Sequence, residues 1–115
     1  MKGAAEEDIA LRHLEQRGLV AVARNWRCRG GELDLVMRDG DTLVIAEVRM
    51  RGNPAFGSAA ESVGARKQAR LVHATRLFLA AHGQFAQSPV RFDVVALDGA
   101  GRLEWLRGAF EADQA

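Results

Sequence analysis

Apolar and polar residues alternate with two different periods along this chain, and the changes of period mark its elements. From Ala4 to Arg17, Ile9, Ala10 and Leu14 share one side of a predicted helix, and Gly18 is a stop signal. Leu19 to Cys28 reads as a strand that turns polar before Gly30-Gly31 breaks it. Two apolar runs then flank Asp39-Gly40, which predicts a hairpin because Gly and Asp tolerate the positive φ of tight turns. The expected register sets Met37 opposite Thr42, Leu35 opposite Val44 and Leu33 opposite Ala46 on one face. Val36–Leu43, Asp34–Ile45 and Glu32–Glu47 occupy the other. Gly52 to Ser58 reads as a loop, and Ala59 to about Ala81 as a helix with Leu71, Ala74 and Phe78 along one stripe. Val90 to Leu97 and Leu103 to Leu106 are strands on either side of the turn Asp98-Gly99-Ala100-Gly101.

The order is helix, three strands, helix, two strands, which predicts a single α/β domain with helices covering a central mixed sheet. Leu43 to Val48 is apolar on both faces until Glu47, as in a strand buried on both sides. A buried strand that ends in Glu47 and then Arg49 suits the mouth of a cleft.

Composition narrows the setting more than the chemistry. A chain of 115 residues, 48% of them apolar, can build a core. Its formal charge of +1 does not announce a nucleic-acid binder. The basic residues are fourteen Arg and two Lys, Lys2 and Lys67, concentrated at 24–29, at Arg49 and Arg51, and at 66–76. On one face they would make a local basic groove. Cys28 is the single cysteine, so no disulfide forms within the chain and a reducing compartment is expected. No stretch approaches a membrane span or a leader's apolar segment, so the expected setting is cytoplasmic.

The hairpin carries the candidate chemistry. The register makes Asp34 and Glu47 diagonal neighbours, with Cβ atoms up to about 8 Å apart. Like charges that close need compensation by protonation, a cationic side chain or a bound cation, and the last makes Glu32, Asp34 and Glu47 candidate ligands for a divalent ion. Mg²⁺ is satisfied by one or two carboxylates plus water and phosphate oxygens. Arg49 is too strongly basic to act as a general base, but its guanidinium suits a phosphate or an anionic transition state. The same residues also fit a plain ion-pair network at a strand end. Glu6-Glu7-Asp8 fits acids that favour the first turn of a helix. The histidines and the lone cysteine have no zinc spacing.

Taken together, Gly3-x-x-x-Glu7-x-x-Ala10, Arg24-Asn25-x-Arg27, Gly31-Glu32-Leu33-Asp34-Leu35, Glu47-Val48-Arg49-x-Arg51, Gly57, Lys67 and Arg91-Phe92-Asp93 resemble the YraN-like family of uncharacterised proteins, over nearly the whole chain. That family is similar to the restriction-endonuclease-like superfamily and, within it, to Holliday-junction resolvases. The resemblance implies a PD-(D/E)XK-type core with Mg²⁺ or Mn²⁺ as cofactor. Asp34 looks like the metal-binding aspartate, Glu47 like the acid of the Glu-x-Lys element, and Glu7 like the helical acid that assists. Arg49 stands where such nucleases usually carry lysine, and Lys67 is an alternative source of the amine. Arg27, Arg49, Arg51 and Lys67 become candidate nucleic-acid contacts. The implied function is a metal-dependent endonuclease acting on branched or damaged DNA, with a homodimer suggested by the resolvases. The alternatives are a non-catalytic nucleic-acid-binding protein of the same fold and a structural or adaptor protein.

Overall fold

The computed structural model describes residues 3–51 and 63–112. The predicted loop at 52–58 and the first residues of the predicted second helix, 59–62, lie outside them. Helix α1 runs Ala4–Gln16, strand β1 Val20–Cys28, β2 Gly31–Asp39 and β3 Thr42–Arg51. Helix α2 runs Ala65–Ala81, β4 Val90–Asp98 and β5 Leu103–Phe110, with a short 3-10 turn at Gly83–Phe85. Gly64 caps α2, so the described helix starts later than the Ala59 that periodicity suggested. The last strand reaches Phe110 rather than stopping at Leu106.

The five strands lie in one sheet in the order β1-β2-β3-β4-β5. β3 and β4 are parallel, as their helical crossover requires, and the other neighbours are antiparallel. Helices and a mixed sheet make an α/β fold, consistent with a restriction-endonuclease-like core.

Alternation along the central strands assigns each helix to a face. Val44, Ala46 and Val48 on β3, with Val95 and Leu97 on β4, pack on Ala10 and Leu14 of α1. Leu43, Ile45, Phe92, Val94 and Ala96 pack instead on Leu71, Ala74 and Phe78 of α2. β3 is thus buried on both sides, which explains its near-continuous apolar run.

The hairpin register differs from expectation by two residues. Asp39 pairs with Thr42, Met37 with Val44 and Leu35 with Ala46. The loop is therefore Gly40-Asp41, with Gly40 at φ +60. Glycine at the first central position is the demand of a type II′ turn, and it moves the turn one residue along from Asp39-Gly40. A slip of two preserves the face of every residue between Leu35 and Ala46, whereas a slip of one would have inverted them. Leu33 departs from the expected face for another reason. It packs with the α2 cluster, while Leu35 packs with the α1 cluster. The strand changes face at Asp34.

Candidate active site

Glu7 sits on the buried stripe of α1 with Ala10 and Leu14. Ile9, expected on that stripe, is 48% exposed. The spacing 7-10-14 follows the helical period, so Glu7 faces the sheet and is only 6% exposed. The capping role that acids often play in a first turn belongs to its neighbour, since Glu6 Oε2 accepts the Gly3 N–H at 2.8 Å. Arg24 of β1 ties this end of the helix down. It donates to the Ala4 carbonyl at 3.1 Å and approaches Glu7 at 3.5 Å and Asp8 at 2.6 Å. The hydrogen bond that Arg24 donates to Asp8 raises the Arg24 pKa above its ordinary value, against the opposing effect of burial.

The described β2–β3 ladder ends at Leu35–Ala46. One step further would pair Asp34 with Glu47. Instead Asp34 Oδ2 accepts the Val48 backbone N–H at 3.0 Å. A carboxylate thus takes the place of a strand carbonyl, which holds Asp34 where β2 and β3 diverge. Asp34 is 4% exposed and Glu47 1%. Glu47 shares the α2 face with Leu43 and Ile45. There its Oε2 lies 3.6 Å from Arg49 Nη1 and 3.5 Å from Lys67 Nζ of α2. The structure thus joins Glu47, Arg49 and Lys67 across strand and helix, a contact that spacing along one chain cannot reveal.

A cleft of about 400 Å³ opens beside Asp34, lined also by Gly3, Ala4, Glu7, Asn25, Arg27, Glu32 and Lys67. A second cleft adjoins it through the shared Arg27, Glu32 and Lys67, and adds Arg70 near Gly30 and Gly31. Glu32 stands at the opening, 38% exposed in its side chain and 3.7 Å from Arg27. Arg51 turns elsewhere and meets Glu104 of β5 at 2.6 Å.

Among the described residues no group of three or more His, Cys, Asp or Glu side chains is assembled to hold a metal ion. Glu32 lies 3.7 Å from Arg27. A hard cation asks for less: one or two carboxylates, the rest water and phosphate. The cleft lining among the described residues offers the carboxylate oxygens of Glu7, Glu32 and Asp34, the donor type such a cation takes, rather than imidazole or thiol.

Sequence reasoning passed over two features. Asp93, given no role within Arg91-Phe92-Asp93, is 1% exposed and accepts from Arg91, from Trp105 Nε1 at 2.9 Å and from the Gly108 N–H at 3.0 Å. It sits where the β4–β5 register shifts, and it accepts the Gly108 N–H, a backbone group outside the ladder pairs. The other is the backbone of Asn25, at φ +52 in a strand; asparagine is among the residues that tolerate that region, a weak signal that the strand pattern around it outweighs.

Comparison with known proteins supplies the lineage. The model of the uncharacterised protein family UPF0102 matches residues 6–97. A UPF0102 protein of Stutzerimonas stutzeri is 54% identical over 113 residues, covering 96% of this chain and 94% of its own. Relatives from Pseudomonas entomophila and Pseudomonas putida reach 55% and 56% identity, each over 95% of this chain and 92% of their own. All carry the same family description and none a stated activity. With near-complete coverage at this identity, the chain belongs to the UPF0102, or YraN-like, family.

Proposed function

We propose that the chain is a metal-dependent endonuclease acting on DNA phosphodiester bonds, in branched or damaged DNA, in the cytoplasm. One observation carries the reading: Glu7, Asp34 and Lys67, from a helix, a strand and a second helix, line one cleft at the point where β2 leaves β3. Burying acids costs desolvation energy that neighbouring cations only partly offset, so acids held there call for a role in fold or function. Asp34 and Glu47 would hold Mg²⁺ or Mn²⁺, with Glu7 supporting them and Glu32 at the opening. The ion would supply charge stabilisation at the phosphate and acidify a water. Lys67, 3.5 Å from Glu47, would orient water or hold phosphate. Arg49 cannot take a proton, so its part is to bind the scissile phosphate and offset charge that develops there. Arg27 would hold the flanking backbone. Arg51, engaged with Glu104, would contribute only by leaving that partner. A homodimer presenting two clefts to two strands belongs to the same proposal. No helix of the described residues is long and apolar enough to cross a membrane.

A second reading has its own support. Glu47 is already flanked by Arg49 and Lys67, which is what a structural ion network or a binding protein without catalysis would also contain. The two readings part on a substrate panel. Purified protein is offered linear, single-stranded, flap and four-way-junction DNA with Mg²⁺ or Mn²⁺, beside Asp34→Ala. Metal-dependent cleavage lost in the variant supports the endonuclease. Binding without cleavage supports the second reading.

A further inference from the structure

Arg24-Asn25-x-Arg27 was singled out in the sequence, and only its arginines have so far been given work. Asn25 is the one non-glycine among the described residues with positive φ, at +52. It stands in the middle of β1, where an extended residue would ordinarily sit. Its neighbours Arg24 and Trp26 pair with Leu35 and Leu33, so Asn25 lies across from Asp34. Both strands change face here. Ala23 and Trp26, three positions apart, both pack with the α2 cluster, where regular alternation would put them on opposite sides. Trp26 meets Phe78 of α2 edge-on at 5.3 Å. Arg24 is sent the other way, to Ala4, Glu7 and Asp8. Between them the exposed Asn25 lines the cleft with Asp34, Glu7 and Lys67.

Asparagine tolerates this backbone better than most residues that carry a Cβ, and glycine better still, so the position can be varied without losing the bend and its side chain judged separately. The cleft's acids repel a phosphodiester, and Lys67 and Arg27 are its only cationic lining residues among those described. A carboxamide adds a neutral donor that does not compete for a cation.

We propose that Asn25 is a substrate-contacting residue: its carboxamide N–H donates to a non-bridging oxygen of the nucleic-acid backbone beside the scissile bond. The proposal rests on the nuclease reading of the same cleft. It predicts that the backbone and side chain of Asn25 do separate jobs, and two variants separate them. Asn25→Gly keeps or improves the backbone fit and removes the amide. Asn25→Asp keeps the size and the tolerance for this conformation, and removes the donor.

The test is fluorescence anisotropy with a labelled four-way junction and a labelled linear duplex at fixed salt, with melting temperature and Mn²⁺-dependent cleavage measured on the same samples. Asn25→Gly should melt at or above the wild-type temperature and bind about tenfold more weakly, the loss of one hydrogen bond to a charged acceptor. Asn25→Asp should bind at least as weakly. If Asn25→Gly binds and cleaves like the wild type, Asn25 serves only the strand's bend and the proposal is overturned. If Asn25→Gly fails to fold, the decision passes to Asn25→Asp, and full binding by that folded variant overturns it equally. A wild type that neither binds nor cleaves any substrate brings down the nuclease reading and this proposal with it, an outcome distinct from loss or retention confined to the Asn25 variants.

Discussion

The Asp34 carboxylate accepts the backbone N–H of Val48 at 3.0 Å, and so closes a gap in the sheet with a side chain. Asp34 has a structural duty as well as a candidate chemical one, and replacing it by alanine removes both. Asp34→Asn retains an oxygen acceptor for Val48 while losing the charge. Asp34→Ala should cost about 1–3 kcal/mol by leaving a buried N–H unsatisfied. Asp34→Asn should stay within about 1 kcal/mol of the wild type and still lose Mn²⁺ binding. Thermal melts and calorimetric titration check the two halves. Undiminished Mn²⁺ affinity in Asp34→Asn would remove this residue from the metal site.

Glu47→Gln tests what the buried acid is for. Lys67 and Arg49 are each about one-third exposed in their side chains, so water can serve them once the charge is gone. Removing a desolvated carboxylate should then leave stability within about 1 kcal/mol of the wild type, or raise it, while cleavage is lost. A purely structural network predicts the opposite, a clear fall in melting temperature with DNA affinity unchanged.

Arg49 and Lys67 divide the cationic work. Arg49→Ala should weaken DNA binding and cleavage together, and Arg49→Lys should keep part of both, since charge survives while the planar fork is lost. If the amine of Lys67 orients the water, Lys67→Ala abolishes cleavage while DNA affinity falls only modestly. Affinity at fixed salt and single-turnover cleavage on the three variants distinguish these roles. An Arg49→Ala protein with wild-type affinity would contradict the assignment of Arg49 to phosphate.

Asp98 carries a prediction in pH. It accepts N–H groups of Ala100 and Arg102 at 2.9 Å each and the Arg102 side chain at 2.8 Å. Led by the Arg102 backbone hydrogen bond, these hold its pKa below the usual value for an aspartate. A pKa depressed by folding adds stability that is complete above the unfolded value, about 3.9, and is lost as pH falls through the folded one. The stability gap between the wild type and Asp98→Asn should therefore be constant near neutrality and shrink below about pH 4. Denaturant titrations across pH measure it, and a gap that stays constant into acid would contradict the account.

How far the sequence alone reached depended on which forces were local. Element order followed from periodicity, and β3 showed its central place by being apolar on both faces. The register missed by two because glycine's place within the turn, first or second, is a choice between turn types that both accept Asp and Gly. Glu7 looked like an ordinary first-turn acid because an acid on the buried stripe is understood only from its partner Arg24, which comes from β1. Leu33 was put on the wrong face because alternation was carried through Asp34, where the strand breaks it. The Lys67–Glu47 contact needs the packing of α2 on β3, which no local pattern contains. Asp93 looked bland for the same reason: its partners Trp105 and Gly108 come from the next strand.

The most direct measurement is cleavage of a four-way junction, with linear duplex as comparison, by the wild type and Asp34→Asn in Mn²⁺ and in chelator. The endonuclease account predicts nicking by the wild type in Mn²⁺, none in chelator, and none by Asp34→Asn although that variant remains folded. Cleavage that persists in chelator or in folded Asp34→Asn would contradict it, as would a wild type that leaves every substrate intact in Mn²⁺ and in Mg²⁺.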